Sequence, residues 1–506
     1  MRLTILGGGG FRVPLVHRAL LADRGRTGIT ELVLHDVDAR RLDAIGQVLT
    51  AQSRDLPHAP RLLTTTDLDT AVTGADFVFC AIRVGGLRGR VTDERVALGA
   101  GVLGQETVGA GGISYGLRTV PEAHRVAARI ARLAPTAWTI NFTNPAGLVT
   151  EAMATHLGDR VIGICDSPSG LVDRVLRAIG ADPATVRVDY AGLNHLGWLY
   201  GVHPLRAADP PGPAAPRHAG RSPAPAAQHG TRLPDQRPAD PERAGLPDQG
   251  PAETGKAGPL GQGPARAGLL DQLLADPGKL ESFEEGRLFG ADRLRELRSI
   301  PNEYLHYYYD SAGTLAAVRA AERTRGEFLL GQQERCYTEI LAHDPLGAWL
   351  AAWREREATY MAENREITGA GEREHDESRP AGYEGVALAV MRALAHDEPA
   401  TLILNVRNRG TLALLDDDAV VEVPCTVDAR GASPQRIAPL PAHGTDLVQA
   451  VKTAERWVLE AVNSRSKSAA VRAMAAHPLV ASERLATRLI DAYRAEFAEL
   501  AYLRAG

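Results

Sequence analysis

The chain opens MRLTILGGGGFRVPLVHRALL: a short apolar run, four consecutive glycines, then apolar residues at helical spacing. No other stretch constrains the fold as much. Glycines between a strand and a helix let the chain reverse tightly and aim its amides at the helix N-terminus, where an anion is favoured. Gly7 and Gly9 occupy the first two positions of a G-x-G-x-x-G pattern, and Arg12 stands where the third glycine would be. A second apolar run, ELVLH, leads into Asp36 and Asp38, at about the spacing of a ribose-binding acid. Asp36 lies closer to the end of that run. A third run, ADFVFCAIRVGG, adds another strand. Alternation of this kind predicts a doubly wound α/β sheet, and the glycine loop within it predicts NAD binding.

Three polar clusters follow, each tied to a short apolar run: NFTNPAG after TAWTI, CDSPSG after RVIGI, and LNHLGW after VRVDYAG. Residues at the carboxyl ends of strands in an open α/β sheet face the ligand crevice. The clusters hold two amides (Asn141, Asn144), a thiol beside a carboxylate (Cys165, Asp166) and an Asn–His pair (Asn194, His195). A thiolate and an imidazole on neighbouring strand ends can bind a divalent metal and leave positions open for substrate. Alone, Cys165 reads as a small buried apolar residue and His195 as a hydrogen-bonded loop histidine. With the amides and the glycine loop, the group reads as one site. Arg83, Arg88, Arg90 and Arg95 cluster after the third strand, as a solvated face or with one or two of them binding an anion. The GQETVGAGG segment, with Gln105, Glu106 and Thr107, is either a lining of that site or a plain loop.

A chain of 506 residues with 44% hydrophobic and 24% charged residues has material for a soluble protein of more than one domain. A net charge of −5 carries no basic footprint for nucleic acid. Four dispersed cysteines make no secreted disulfide pattern, and no apolar run reaches membrane-spanning length. These features predict a cytoplasmic protein without membrane or nucleic-acid partners. Residues 204–267 are of different material: 14 of the 32 prolines lie there, and no aromatic residue occurs between Tyr200 and Phe283. Such a stretch buries too little to offset its ordering entropy, and reads as a disordered insertion or as coding sequence out of frame. The second half predicts helices over 311–363, a polar loop over 364–382, strands at TLILNVRNRG and AVVEVPCTVDARG, and helices from Asp446 on. The expected architecture is an N-terminal Rossmann-like domain, 1–164, followed by a mixed α+β, mainly helical catalytic domain, 165–506.

The motifs LGGGGFRVP, IRVGGLRGRVTDE, GQETVGAGG, NFTNPAG, GICDSP, GLNHLGW, IPNEYLHYYY, NVRNRG and VEVPC, in that order, resemble glycoside hydrolase family 4, the NAD- and Mn-dependent 6-phosphoglycosidases. The resemblance spans nearly the whole chain outside 204–267, and the first half is more distantly similar to malate and lactate dehydrogenases. It implies Cys165 and His195 as metal ligands, Asp166 as general acid and Tyr304 as the base at sugar C2. It implies that Asn144 and Asn194 hold sugar hydroxyls and that Arg83 and Arg90 help place the substrate. Gly7, Gly9, Gly10, Phe11, Arg12 and Asp36 are the expected NAD contacts. The implied reaction departs from the two-carboxylate scheme of most glycosidases. It runs through oxidation at C3, deprotonation at C2, loss of the aglycone, water addition and re-reduction. The implied substrate is a phosphorylated disaccharide or glucoside, and the implied assembly a homo-oligomer, dimer or tetramer. CDSP matches neither CDMP, which goes with α-linked substrates, nor CNVP, which goes with β-linked ones. IRVGGLRGR and IPNEYLHYYY lie closer to β-acting members and ISYGLRTV leans the other way, so the reading is a 6-phospho-β-glucosidase. The alternatives are a 6-phospho-α-glucosidase, a 2-hydroxyacid dehydrogenase and an inactive protein that binds sugar phosphate or NAD.

Overall fold

The structure, a computed structural model, describes residues 1–205, 268–359, 382–480 and 482–504. Strand β1 (Arg2–Leu6) is buried from Leu3 onward, as an apolar run covered on both faces should be. It pairs in parallel with β2 (Glu31–His35) and β4 (Phe77–Cys80). With β3 (Arg61–Thr65), β5 (Trp138–Asn141) and β6 (Val161–Gly163) it forms the parallel order β3-β2-β1-β4-β5-β6. This is the doubly wound order, whose direction of winding reverses between β1 and β4, beside the glycine loop.

The sheet does not stop at β6. Beyond it come β10 (Ala400–Arg407), β11 (Val420–Asp428), β7 (Val186–Leu193), β8 (Leu196–Pro204) and β9 (Ile300–Pro301), with β12 (Gly431–Pro434) on β11. These added pairings are antiparallel, and the strands from both halves of the chain make one 12-stranded sheet. Asn405 of β10 sits opposite Gly163 of β6, and Glu422 of β11 opposite Gly192 of β7. That register brings residues far apart in sequence to the strand ends that carry the three polar clusters.

The helices begin where local chemistry satisfies their first amides. Asp38 caps the helix Ala39–Gln52 by accepting from Arg40 N at 3.0 Å and Arg41 N at 3.1 Å, which leaves Asp36 as the carboxylate at the β2 end. The GQET segment is irregular up to Val108, and a 25-residue helix, Gly109–Leu133, starts directly after it. A Cβ at Gly112 would lie 2.4 Å from the Thr107 carbonyl oxygen, so this close approach needs glycine.

The insertion expected over 204–267 lies outside the described residues apart from Pro204 and Leu205, as does the loop expected over 364–382 apart from Gly382. On the near flank, Leu205 N donates to Thr185 O at 2.8 Å. On the far flank, the helix Leu269–Ala275 packs against β8 and buries Leu270, Leu273 and Leu274. Both flanks are therefore anchored without help from the segment between them. Deleting 206–265 is expected to leave a folded chain with a thermal midpoint within a few degrees of the parent, since loop closure costs little per residue. Thermal unfolding of the two chains side by side checks this, and a deletion variant that is insoluble or melts far lower contradicts it.

Candidate active site

The glycine loop is held in place from both sides. Gly7 has φ +84°, and a Cβ there would lie 2.3 Å from Ala81 O, so only glycine fits. Gly7 N and Gly8 N both donate to His35 O, at 2.9 and 2.7 Å, and Gly9 N donates to Asp36 Oδ2 at 2.9 Å. Side chains from the second half take the loop's carbonyls: Tyr337 OH donates to Gly9 O at 2.6 Å, Trp349 Nε1 to Phe11 O at 2.9 Å, and Tyr383 OH to Arg12 O at 2.8 Å. The helix Val13–Ala22 that follows has no side-chain N-cap. A tight glycine cradle and an uncapped helix N-terminus fit a dinucleotide pyrophosphate.

A cavity of about 730 Å³ is lined by Gly7, Gly10, Phe11, Arg12 and Asp36 of this loop and by Asn144, Cys165, Asp166, His195 and Tyr304. His195 lies in the tight turn between β7 and β8 with φ +62°, a strained backbone for a non-glycine residue. Its Nδ1 is 2.7 Å from Thr107 Oγ1. Thr107 Oγ1 also donates to Gln105 Oε1 at 3.1 Å, an oxygen identified by the two backbone amides that donate to it. The Thr107 hydrogen is thus committed, so His195 Nδ1–H donates to Thr107 and Nε2 keeps its lone pair. Burial pushes the imidazole down to about 4, against the pull of Glu106 and Asp166, so it is neutral at pH 7. Tyr304 stacks on this ring, with centroids 3.7 Å apart and planes 2° from parallel.

Cys165 precedes Asp166, which sits at the N-terminus of the helix Ser167–Ile179. The two approach at 4.0 Å, Sγ to Oδ1. Burial, then Glu422 and Asp166, push the Cys165 thiol well up, so a thiolate here needs a bound cation. Among the described residues no group of three or more His, Cys, Asp or Glu side chains could hold a metal ion. A neutral imidazole with a free lone pair and a thiol suit a divalent metal whose remaining positions are filled by oxygens of a bound molecule.

The structure places the expected arginines in ion pairs. Arg83 pairs with Glu106, and Arg90 bridges Glu106 Oε2 at 2.9 Å and Glu94 Oε1 at 2.8 Å. Burial works against the charge of Glu106, yet Arg83 and Arg90 hold it well below the usual carboxylate range. Arg88 and Arg95 are paired at the surface with Glu334 and Glu327. Arg83 and Arg90 still line the cavity, but they reach it with their charges matched. Asn144 lines the cavity, whereas Asn194 does not: its Oδ1 accepts from Ala146 N at 3.3 Å and its Nδ2 donates to Glu422 Oε1 at 3.1 Å. Asn141 is spent on the loop and helix that follow it, donating to Thr150 Oγ1 at 3.0 Å and accepting from Thr143 N at 3.0 Å. Gly9 supports the loop from behind without lining the cavity.

Several supporting groups carried no signal of their own in the sequence. Thr107 stood inside the glycine-rich GQET segment, but its partner lies in another motif. Ser167, the departure from CDMP and CNVP, donates to Glu303 Oε1 at 3.2 Å, next to Tyr304, and Glu303 lies 3.7 Å from Arg174. Glu422 of VEVPC is fully buried and accepts from Asn194, from Asn405 at 3.0 Å and from Tyr190 OH at 3.0 Å. Burial pushes its carboxyl up to about 7 despite those three donors. Below about pH 4.5 the folded and unfolded chains both carry this proton. Between 4.5 and 7 only the folded chain does, so its contribution to stability falls as pH rises. Glu422→Gln, whose oxygen can accept from both asparagines and whose amide N–H can donate to Tyr190 OH, is expected to flatten this dependence by on the order of 1–3 kcal/mol. Chemical unfolding at pH 5 and pH 7.5 checks it, and equal slopes in parent and variant refute it.

The chain matches the model of the family 4 glycosyl hydrolases over residues 2–181 and that of the family 4 glycosyl hydrolase C-terminal domain over 263–480. It is 27% identical to a 6-phospho-beta-glucosidase of Escherichia coli (strain K12) over 493 residues, 96% of this chain and 92% of that one. The fold is that of the 6-phospho-beta glucosidase from Thermotoga maritima solved with NAD and glucose-6-phosphate, at a TM-score of 0.75 and 23% identity, covering all of both chains. A 6-phospho-alpha-glucosidase from gut microorganisms, solved with NAD and Mn2+, gives a TM-score of 0.72 at 22% identity over 98% of this chain and 97% of that one.

Proposed function

Because the chain belongs to glycosyl hydrolase family 4, we propose that it hydrolyses 6-phospho-β-glucosides, with NAD and a divalent metal, manganese by resemblance, as cofactors. The observation that carries this reading is the placing of Cys165, His195 and Tyr304 in one cavity with the glycine loop. When bound, NAD supplies a hydride acceptor and donor, and the metal a Lewis acid beside the sugar.

Gly7, Gly10, Phe11 and Arg12 would hold the pyrophosphate of the dinucleotide, and Asp36 its ribose. Cys165 Sγ and His195 Nε2 would hold the metal, and Thr107 keeps the imidazole in the tautomer that leaves Nε2 free to do so. Tyr304 takes the C2 proton, its ring kept in place by the stack on His195. Asp166 gives a proton to the leaving oxygen. Asn144 and the paired arginines orient the sugar. The relative from Escherichia coli supports the β anomer, and the α-acting structure keeps a 6-phospho-α-glucosidase as the second reading.

The test is a panel of α- and β-linked chromogenic glucosides, each with and without the 6-phosphate, assayed with NAD and Mn2+. Cleavage of the phosphorylated β-glucoside with no net NADH is the expected result. Cleavage of α-linked substrates alone reverses the anomer. Steady NADH accumulation makes the protein a dehydrogenase, and binding without turnover makes it an inactive binding protein.

A further inference from the structure

Tyr304 stands in a short piece of backbone. It is the middle residue of a single 3-10 turn, Glu303–Leu305, entered from β9, a two-residue strand at the end of the sheet. Asn302 ties this turn to β8: its N–H donates to Gly197 O at 2.9 Å, and its Oδ1 accepts from Tyr304 N at 3.1 Å. The stack on His195 sets the tilt of the Tyr304 ring. Both ties run to the β7–β8 hairpin. A third runs to the helix Ser167–Ile179, whose first residue is the chain neighbour of Asp166.

That third tie uses both oxygens of Glu303. Ser167 Oγ donates to Oε1 at 3.2 Å, and Arg174 Nη2 lies 3.7 Å from Oε2. Ser167 and Arg174 are two turns apart on one helix, so both reach the same carboxylate. Arg174 is itself held by Glu285, a carboxylate with no exposure, whose Oε2 accepts from its Nε at 2.9 Å. Ser167 and Glu303 are buried as well. A hydrogen bond to a carboxylate is short-ranged and directional, and leaving one unmade in the interior is costly. A stack sets the tilt of a ring, whereas bonds of this kind set its place. Asp166 precedes Ser167 and Tyr304 follows Glu303, so one buried hydrogen bond joins the neighbours of the two residues.

We propose that Ser167 and Glu303 are positioning residues that fix Tyr304 relative to Asp166, an inference that rests on the phosphoglucosidase reading above. Loss of the aglycone takes a proton from C2 and gives one to the oxygen leaving C1. Base and acid therefore act on adjacent atoms of one sugar, where a displacement of about 1 Å costs roughly 100-fold. Ser167 has a competing role. Against burial, Glu422 and Asp166, which push the Cys165 thiol up, the N–H and hydroxyl of Ser167 pull the other way. A hydroxyl has a single hydrogen to give, and the two roles predict different losses.

The experiment uses the full chain with NAD and Mn2+ and compares the parent with Ser167→Ala, Ser167→Thr, Glu303→Ala and Glu303→Gln. The first readout is exchange of the substrate C2 proton with deuterated solvent, on a 6-phospho-β-glucoside. Exchange and kcat are expected to fall about 10- to 100-fold in both alanine variants, with KM changed less than about threefold. Threonine keeps the hydroxyl and glutamine the accepting oxygen, so both should recover most of the rate, which separates lost placement from lost folding. The double alanine variant should be no slower than the slower single one, as for two ends of one bond. The second readout needs no turnover: fluorine NMR of the chain carrying 3-fluorotyrosine, with the Tyr304 line identified by its absence in Tyr304→Phe. That line should shift or broaden in both alanine variants and return in Ser167→Thr and Glu303→Gln. Parental exchange with an unmoved line in both alanine variants overturns the proposal. A loss in Ser167→Ala that excess Mn2+ restores, with Glu303→Ala at the parental rate, assigns Ser167 to Cys165 and also overturns it. A parent without C2 exchange on any phosphoglucoside removes the phosphoglucosidase reading, and the fluorine line still decides whether this bond places Tyr304.

Discussion

Cys165→Ser is expected to lower kcat/KM by about 10²–10³-fold, because a Lewis acid at the reacting carbon is worth several kcal/mol and each 1.36 kcal/mol is tenfold in rate. The substitution is nearly isosteric, but a serine hydroxyl does not become an anion beside a divalent metal as a thiol does. Here the requirement is sharp. Burial, Glu422 and Asp166 all oppose the Cys165 thiolate, so it exists only when a cation pays for it. Among the described residues the glycine loop and Asp36 are hydrogen-bonded through His35, Asp38 and their own amides and not through Cys165, so NAD binding should be unchanged. Two measurements decide it: Mn2+ binding followed by electron paramagnetic resonance, which should weaken, and NAD affinity, which should not. A serine variant that turns over at the parental rate without added metal removes Cys165 from the site.

Tyr304→Phe is the second large effect, a loss of about 10²–10⁴-fold in kcat, the range for removing a positioned general base. Phenylalanine keeps the ring that lies flat on His195 at 3.7 Å and removes only the hydroxyl, so fold and imidazole orientation should survive. The distinguishing measurement is exchange of the C2 proton with deuterated solvent, which should stop in the variant although substrate still binds. Exchange at the parental rate would mean that another group removes the proton and that Tyr304 serves only as a platform for the imidazole.

Much of this site lies in short stretches. The strand–glycine–helix unit at Leu6–Val13, Asp36 at the end of β2, the Cys165–Asp166 pair and the Asn194–His195 turn each follow from residue type and spacing within a few positions. The parallel order of the first six strands follows in the same way, since alternating strand and helix patterns leave few topologies. The family motifs are legible for the same reason: each is a local piece of backbone chemistry.

Which groups meet across the fold was not legible, because side-chain partners are set by sheet register and helix packing, and no local period encodes those. Arg83 and Arg90 read as part of a solvated face or as anion-binding groups, and only the structure brought Glu106 between them. Asn194 read as a sugar contact, but β11 lies beside β7 and presents Glu422 to its amide. Thr107 and His195 stand 88 residues apart in sequence and meet only in the fold. The carbonyls of the glycine loop find their donors in Tyr337, Trp349 and Tyr383, from helices in the other half of the chain. Local sequence thus determined which chemical groups the strand ends carry. The tertiary structure alone decided which of them are spent on one another and which, like His195 Nε2, are left facing the cavity, because a charge or hydrogen bond is committed by what packs against it.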